Sequence, residues 1–139
     1  YGAAADAIWD YQELLWDTWE KQHTTRLKSP PGGIRYGMDI FDDEFMTRAR
    51  DCFARATELA KLDTDPETLR RVEEGELQVL YASVCRQAKP GKPADPMSFK
   101  TDLDKFERVA RRQKMTHIQE GNPDFEAWVA KMRALGTPE

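Results

Sequence analysis

The sequence predicts an all-α protein, an antiparallel four-helix bundle with a short fifth helix. Three observations lead there. Apolar residues recur with a period near 3.6 through four long segments, which is the mark of helices with one buried face. Proline- and glycine-rich stretches separate those segments and cannot continue a helix. Strand-like alternation and internal repeats are both missing from the sequence.

Helix one spans Ala3 to His23. Lys28-Ser29-Pro30-Pro31-Gly32-Gly33 ends it, and an irregular connection runs on to Phe41. Asp42 or Asp43 caps helix two, which reaches Leu62, because a carboxylate there can accept the free N–H groups of a first turn. Asp63-Thr64-Asp65-Pro66 is a stop followed by a restart. Pro66 suits the first turn of helix three and Asp65 its cap. That helix continues to Ala88. Lys89 to Pro96 is a linker; Ser98, with Thr101 or Asp102 behind it, opens helix four, which ends near Gly121-Asn122. Pro123 to Leu135 holds the short last helix. The brief turn between helices two and three makes them antiparallel neighbours, while the longer 24–41 and 89–97 segments leave room for a crossover or a lid.

The 139 residues are 40% hydrophobic and 33% charged, with a net charge of −4. This length suits one domain over 1–139 with a real core. The negative balance argues against a nucleic-acid partner, whose phosphates call for a basic footprint. No apolar run approaches the roughly 20 residues that cross a bilayer, so no membrane partner is expected. The chain begins at Tyr1, already in helix, as a fragment of a larger protein or a processed product would.

Helix two turns Phe45, Ala49, Cys52, Phe53, Ala56, Leu59 and Ala60 to one side. Helix four does so with Phe99, Leu103, Phe106, Val109 and Ala110, leaving Lys105, Arg108, Arg111 and Arg112 facing away as a solvated side. Cys52 and Cys85 form no metal motif. On a hairpin turning near Thr64 they would be offset by roughly 13 Å along the axis, beyond the roughly 7 Å that a disulfide spans. Both are expected to be small core residues.

Helix one is unusual. Asp6, Asp10, Glu13, Asp17 and Glu20 recur at steps of four and three and form an acidic stripe, although like charges so spaced repel by roughly a few tenths of a kcal/mol per pair. Ile8, Tyr11, Leu14, Leu15 and Trp19 occupy the other side, with Trp9 and Trp16 at its edge beside the acids. So broad an apolar arc is expected to be covered on two sides, by the bundle and by a neighbouring domain. Indoles beside carboxylates also suit a sugar, since an indole packs on a pyranose while carboxylates accept from hydroxyls.

On helix three, Glu76 falls among Leu69, Val72, Leu77, Leu80, Tyr81 and Val84, with Glu73 close by. A carboxylate pointing into a core needs a partner. Arg48 and Arg55, at the edge of helix two, are the expected donors of a structural ion pair. Paired carboxylates can also act as acids or ligate metals, but no Glu-x-x-His spacing accompanies them. Phosphate loops, Cys-x-x-Cys, His-Glu-x-x-His and Gly-x-Ser-x-Gly elbows are all missing from the sequence. His23 and His117 stand alone near helix ends. The reading is of a chain without a catalytic site, metal or cofactor.

The order of Tyr1-Gly2-Ala3-Ala4-Ala5, Ile8, Tyr11 and Leu14-Leu15, then Phe41-x-x-x-Phe45, Ala49, Phe53 and Ala56, then Arg71-Val72 and Leu77-x-Val79-Leu80-Tyr81 resembles a known family. It is a helical domain of unknown function that follows an α-glucuronidase-like catalytic barrel in bacterial carbohydrate-active proteins. The likeness covers the first three helices, and its motifs are mostly helix-packing residues. It implies a bundle that buttresses a barrel and contributes to the edge of its substrate cleft, with the family's catalytic carboxylates upstream of this chain. It also implies a secreted or periplasmic parent. Pro30-Pro31-Gly32-Gly33 departs from the family's pattern. The expected function is therefore that of an accessory domain packed on a catalytic barrel. A glycan-binding module using Trp9 and Trp16, and a helical adaptor whose acidic helix docks a basic protein, are the alternatives.

Overall fold

A computed structural model describes residues 1–26, 41–91, 93–118 and 124–136, with the side chains of 22–26 excepted. The fold is all-α: every regular element among the described residues is helical. The helices gather into two compact units, Tyr1–Gly75 and Glu76–Glu139.

The first unit holds a single 3-10 turn at Gly2–Ala4, then α1 (Ala5–Arg26), α2 (Asp43–Lys61) and α3 (Pro66–Gly75). The Tyr1-Gly2-Ala3 start has a local cause. Gly2 sits at φ +47°, in the left-handed region that costs other residues roughly 1–2 kcal/mol. The turn lets the Ala3 N–H donate to Asp63 Oδ2 at 2.8 Å. A Cβ on Gly2 would lie 2.1 Å from that same oxygen. We therefore expect Gly2→Ala to destabilise the chain by at least about 1 kcal/mol, measured as a lowered urea midpoint; an unchanged midpoint would contradict this geometry.

Asp42 caps α2 by accepting from Phe45 N at 2.8 Å. Asp65 starts α3, accepting from Glu67 N at 2.9 Å. The core of this unit is Ile8, Tyr11 and Leu14 of α1 against Phe45, Ala49, Phe53 and Ala56 of α2, with Val72 of α3 also buried. The Tyr11 and Phe53 rings lie 4.7 Å apart. Buried Ala4, Ala7 and Ala49 have no exposed surface, as small residues allow where backbones approach closely.

The expected third helix is two helices. It breaks at Gly75-Glu76, so that α3 ends and α4 (Leu77–Ala88) begins there. Glycine is the poorest ordinary residue for a helix interior. The second unit continues with α5 (Pro96–Arg112) and α6 (Phe125–Leu135). The sequence places the start of α5 too late: Asp95 is its cap, accepting from Met97 N and Ser98 N, each at 3.1 Å, with Pro96 at the first position. It places the end too late as well. Lys114 takes φ +55°, and the chain leaves the helix after Arg112. Leu80, Val84, Phe99, Leu103, Phe106, Phe125, Trp128 and Met132 form one apolar cluster in this unit. Trp128 is 5.3 Å from Phe106 between ring centres.

Ion pairs tie α5 to α6. Arg133 donates to Asp104 Oδ1 at 2.9 Å and also to Glu107, while Arg111 joins Glu107 and Glu126. Glu107 titrates below the usual carboxylate range: partial burial pushes it up, but hydrogen bonds from Arg111 and Arg133 outweigh that. Hydrogen bonds from Lys100 and Arg133 hold Asp104 low too, and those of the Asp65 and Ala3 backbone hold Asp63 low. A carboxylate depressed by folding stabilises the native state above its unfolded pKa, near 4, and that contribution is lost as pH falls through the folded value. The urea midpoint is expected to fall as pH drops below about 4, and Arg133→Met should flatten that dependence. An equally steep profile in the variant would remove the Arg133 pairs as its cause.

Candidate functional site

The outer side of α1 is the candidate surface. Trp9 is 65% exposed and Trp16 is 60% exposed. They are seven residues apart, so they stand on one face about two turns from each other, on the far side of α1 from Tyr11 and Leu14. The expectation that both lie at the edge of the core arc is thus corrected. The core takes only Ala7, Ile8, Tyr11 and Leu14 fully from α1, with Leu15 half-buried. Trp19 is 37% exposed, its ring 5.4 Å from that of Trp16. The fourth tryptophan, Trp128, is buried in the second unit.

The carboxylate stripe runs beside these rings. The Trp9 indole Nε1 donates to Glu13 Oε1 at 2.9 Å, which fixes the ring against its own helix. Asp10 pairs with Arg55 of α2, offsetting one link in the row of like charges. Asp6 and Asp17 are exposed, and no ion pair joins either of them among the described residues. Asp10, Glu13, Leu14 and Asp17 of α1 and Arg48, Asp51 and Cys52 of α2 line a groove of about 330 Å³. Glu13 therefore belongs both to the groove and to the tryptophan face.

The ion pair expected among Glu73, Glu76, Arg48 and Arg55 is not the one that forms. Glu76 is buried and has a partner, but that partner is Lys105 Nζ of α5, at 2.5 Å. Arg55 goes to Asp10, and Arg48 lies 4.0 Å from Glu44 of its own helix. Glu73 is half-buried on α3. Glu76 and Lys105 both belong to the second unit, which begins at the helix break after Gly75. Lys105, read as part of a solvated side, is half-buried.

One polar cluster escaped the sequence reading. Ser83 Oγ donates to Asp102 Oδ2 at 2.6 Å, and Gln87 Nε2 reaches Ser83 Oγ at 3.1 Å and that same carboxylate at 3.3 Å. Ser83 and Asp102 are both buried. The signal was present, since Phe99, Asp102, Leu103 and Phe106 follow the i, i+3, i+4, i+7 pattern of one buried face. This cluster joins α4 to α5.

Cys52 and Cys85 are free and half-buried, and burial pushes both thiols up, which makes them poor nucleophiles. His117 lies beside Thr116 Oγ1, with its Nδ1 3.0 Å away; the side chain of His23 lies outside the described residues. Among the described residues no group of His, Cys, Asp and Glu is placed to hold a metal ion, and no helix is long and apolar enough to cross a membrane. No protein-family model, curated protein or solved structure matches this chain.

Proposed function

We propose that this chain is a non-catalytic accessory module of a polysaccharide-processing protein, seated through the outer face of α1 on a neighbouring catalytic barrel. The observation that carries the reading is the exposure of Trp9 and Trp16 on the side of α1 away from the core. An indole left in water forgoes roughly 2–3 kcal/mol of burial free energy. Two on one helical face form the kind of apolar patch that marks an interaction surface. The barrel, and a secreted or periplasmic parent, rest on the resemblance carried by the Tyr1-Gly2-Ala3-Ala4-Ala5, Phe41–Phe45 and Leu77–Tyr81 motifs.

The test is a paired variant, Trp9→Ala with Trp16→Ala. In the isolated chain its stability should change by no more than about 0.5 kcal/mol, as for exposed sites outside the core. In the longer parent protein it should free the module, read as new protease cleavage between the module and its neighbour. A parent protein that resists protease as before would overturn the reading. The same indoles could receive a pyranose instead, since the exposed Asp6 and Asp17 beside them can accept from its hydroxyls. Oligosaccharide titration followed by tryptophan fluorescence separates the two, since a seating surface gives no response.

A further inference from the structure

We infer that the face of α1 is built for a partner surface that presents arginine, with a guanidinium entering the α1–α2 groove beside the exposed tryptophans. This rests on the docking reading above and adds the chemistry of what docks. Three observations carry it.

The first is charge. The groove is lined by four carboxylates, Asp10, Glu13, Asp17 and Asp51, against one guanidinium, Arg48. Asp10 is already paired with Arg55. Asp17 has no ion pair among the described residues, so the groove keeps an uncompensated negative wall. The second is size. At about 330 Å³ the groove has room for one long side chain. The third is adjacency. Glu13 both lines the groove and accepts from the Trp9 indole, so the groove and the tryptophan face meet at one carboxylate.

Arginine matches this set better than lysine. Its planar guanidinium pairs with carboxylates in bidentate fashion and also stacks on indole faces. A glutamate-bearing surface would be repelled by the same stripe, and a neutral apolar one would leave the carboxylates facing it unpaired.

The test uses the 139-residue chain labelled with nitrogen-15 and two helical peptides in an alanine background, one with arginines at i, i+4 and i+7, the other with glutamates there. The arginine peptide should shift the indole N–H signals of Trp9 and Trp16 and leave that of buried Trp128 in place. Its affinity should fall roughly fivefold or more between low and moderate salt. Glu13→Gln with Asp17→Asn should weaken it roughly tenfold, a loss of about 1.4 kcal/mol. Equal response to both peptides, no response, or unchanged binding by that double variant would overturn the inference. The two readings fail separately. If the arginine peptide is ignored while Trp9 and Trp16 are covered in the parent protein, only the arginine chemistry is lost. If it binds while both remain exposed in the parent protein, the seating reading is lost.

Discussion

Replacing Phe53 with alanine is expected to destabilise the first unit by about 3–5 kcal/mol. Phe53 is 1% exposed, and its ring lies 4.7 Å from Tyr11 of α1. It is thus a fully buried aromatic side chain joining α2 to α1. Truncation removes the transfer free energy of the ring and leaves a cavity that the small neighbours Ala49 and Ala56 are too short to fill. Urea unfolding followed by circular dichroism should show a lower midpoint with an unchanged slope. A loss under about 1 kcal/mol would mean that this interface collapses around the gap or is not packed as described.

Ser83→Ala should cost the second unit about 1.5–3 kcal/mol, the range for a hydrogen bond to a charged group. The variant takes away the 2.6 Å donor of the buried Asp102 carboxylate, while the Gln87 amide, at 3.3 Å, remains a weaker one. Ser83→Thr keeps a hydroxyl and should recover part of the loss if the added methyl fits. If Ser83→Ala proves neutral by urea unfolding, the other contacts of Asp102 suffice to hold its charge, and the Ser83 bond is incidental. Lys105→Met would act on the same principle at Glu76. Its effect should be smaller, because the Lys105 side chain is 31% exposed and water can take its place.

Most of the helices were legible because their apolar positions repeat at the helical period and their starts carry aspartates. Of the pair Asp42 and Asp43, either of which suits the start of α2, Asp42 is the cap, and Asp65 caps α3 as its place before Pro66 predicts. The same logic, applied to Asp95-Pro96, would have placed the start of α5 correctly, but the surrounding prolines read as linker. The division at Gly75 was hidden because Leu69, Val72, Leu80 and Val84 keep helical spacing through the break. That error carried into the site, where it assigned Glu76 to arginines of helix two instead of Lys105.

The candidate surface was half legible. An acidic stripe and an overlarge apolar arc can be read from a helical wheel. Which side of a broad arc is covered cannot, since periodicity does not say how many neighbours a helix has. The fold answers this by giving the α1 core to Ala7, Ile8, Tyr11 and Leu14 and leaving Trp9 and Trp16 outside. The groove was not legible at all, because Arg48, Asp51 and Cys52 reach it from another helix.

The measurement that bears most directly on the central claim is hydroxyl-radical labelling of Trp9 and Trp16, read by mass spectrometry, in the isolated chain and in the longer protein proposed for it above. Both should be oxidised readily in the isolated chain and protected in that longer protein, while Trp128 stays protected in each. Equal oxidation of Trp9 and Trp16 in the two forms would contradict it, since the face of α1 would then have nothing seated on it.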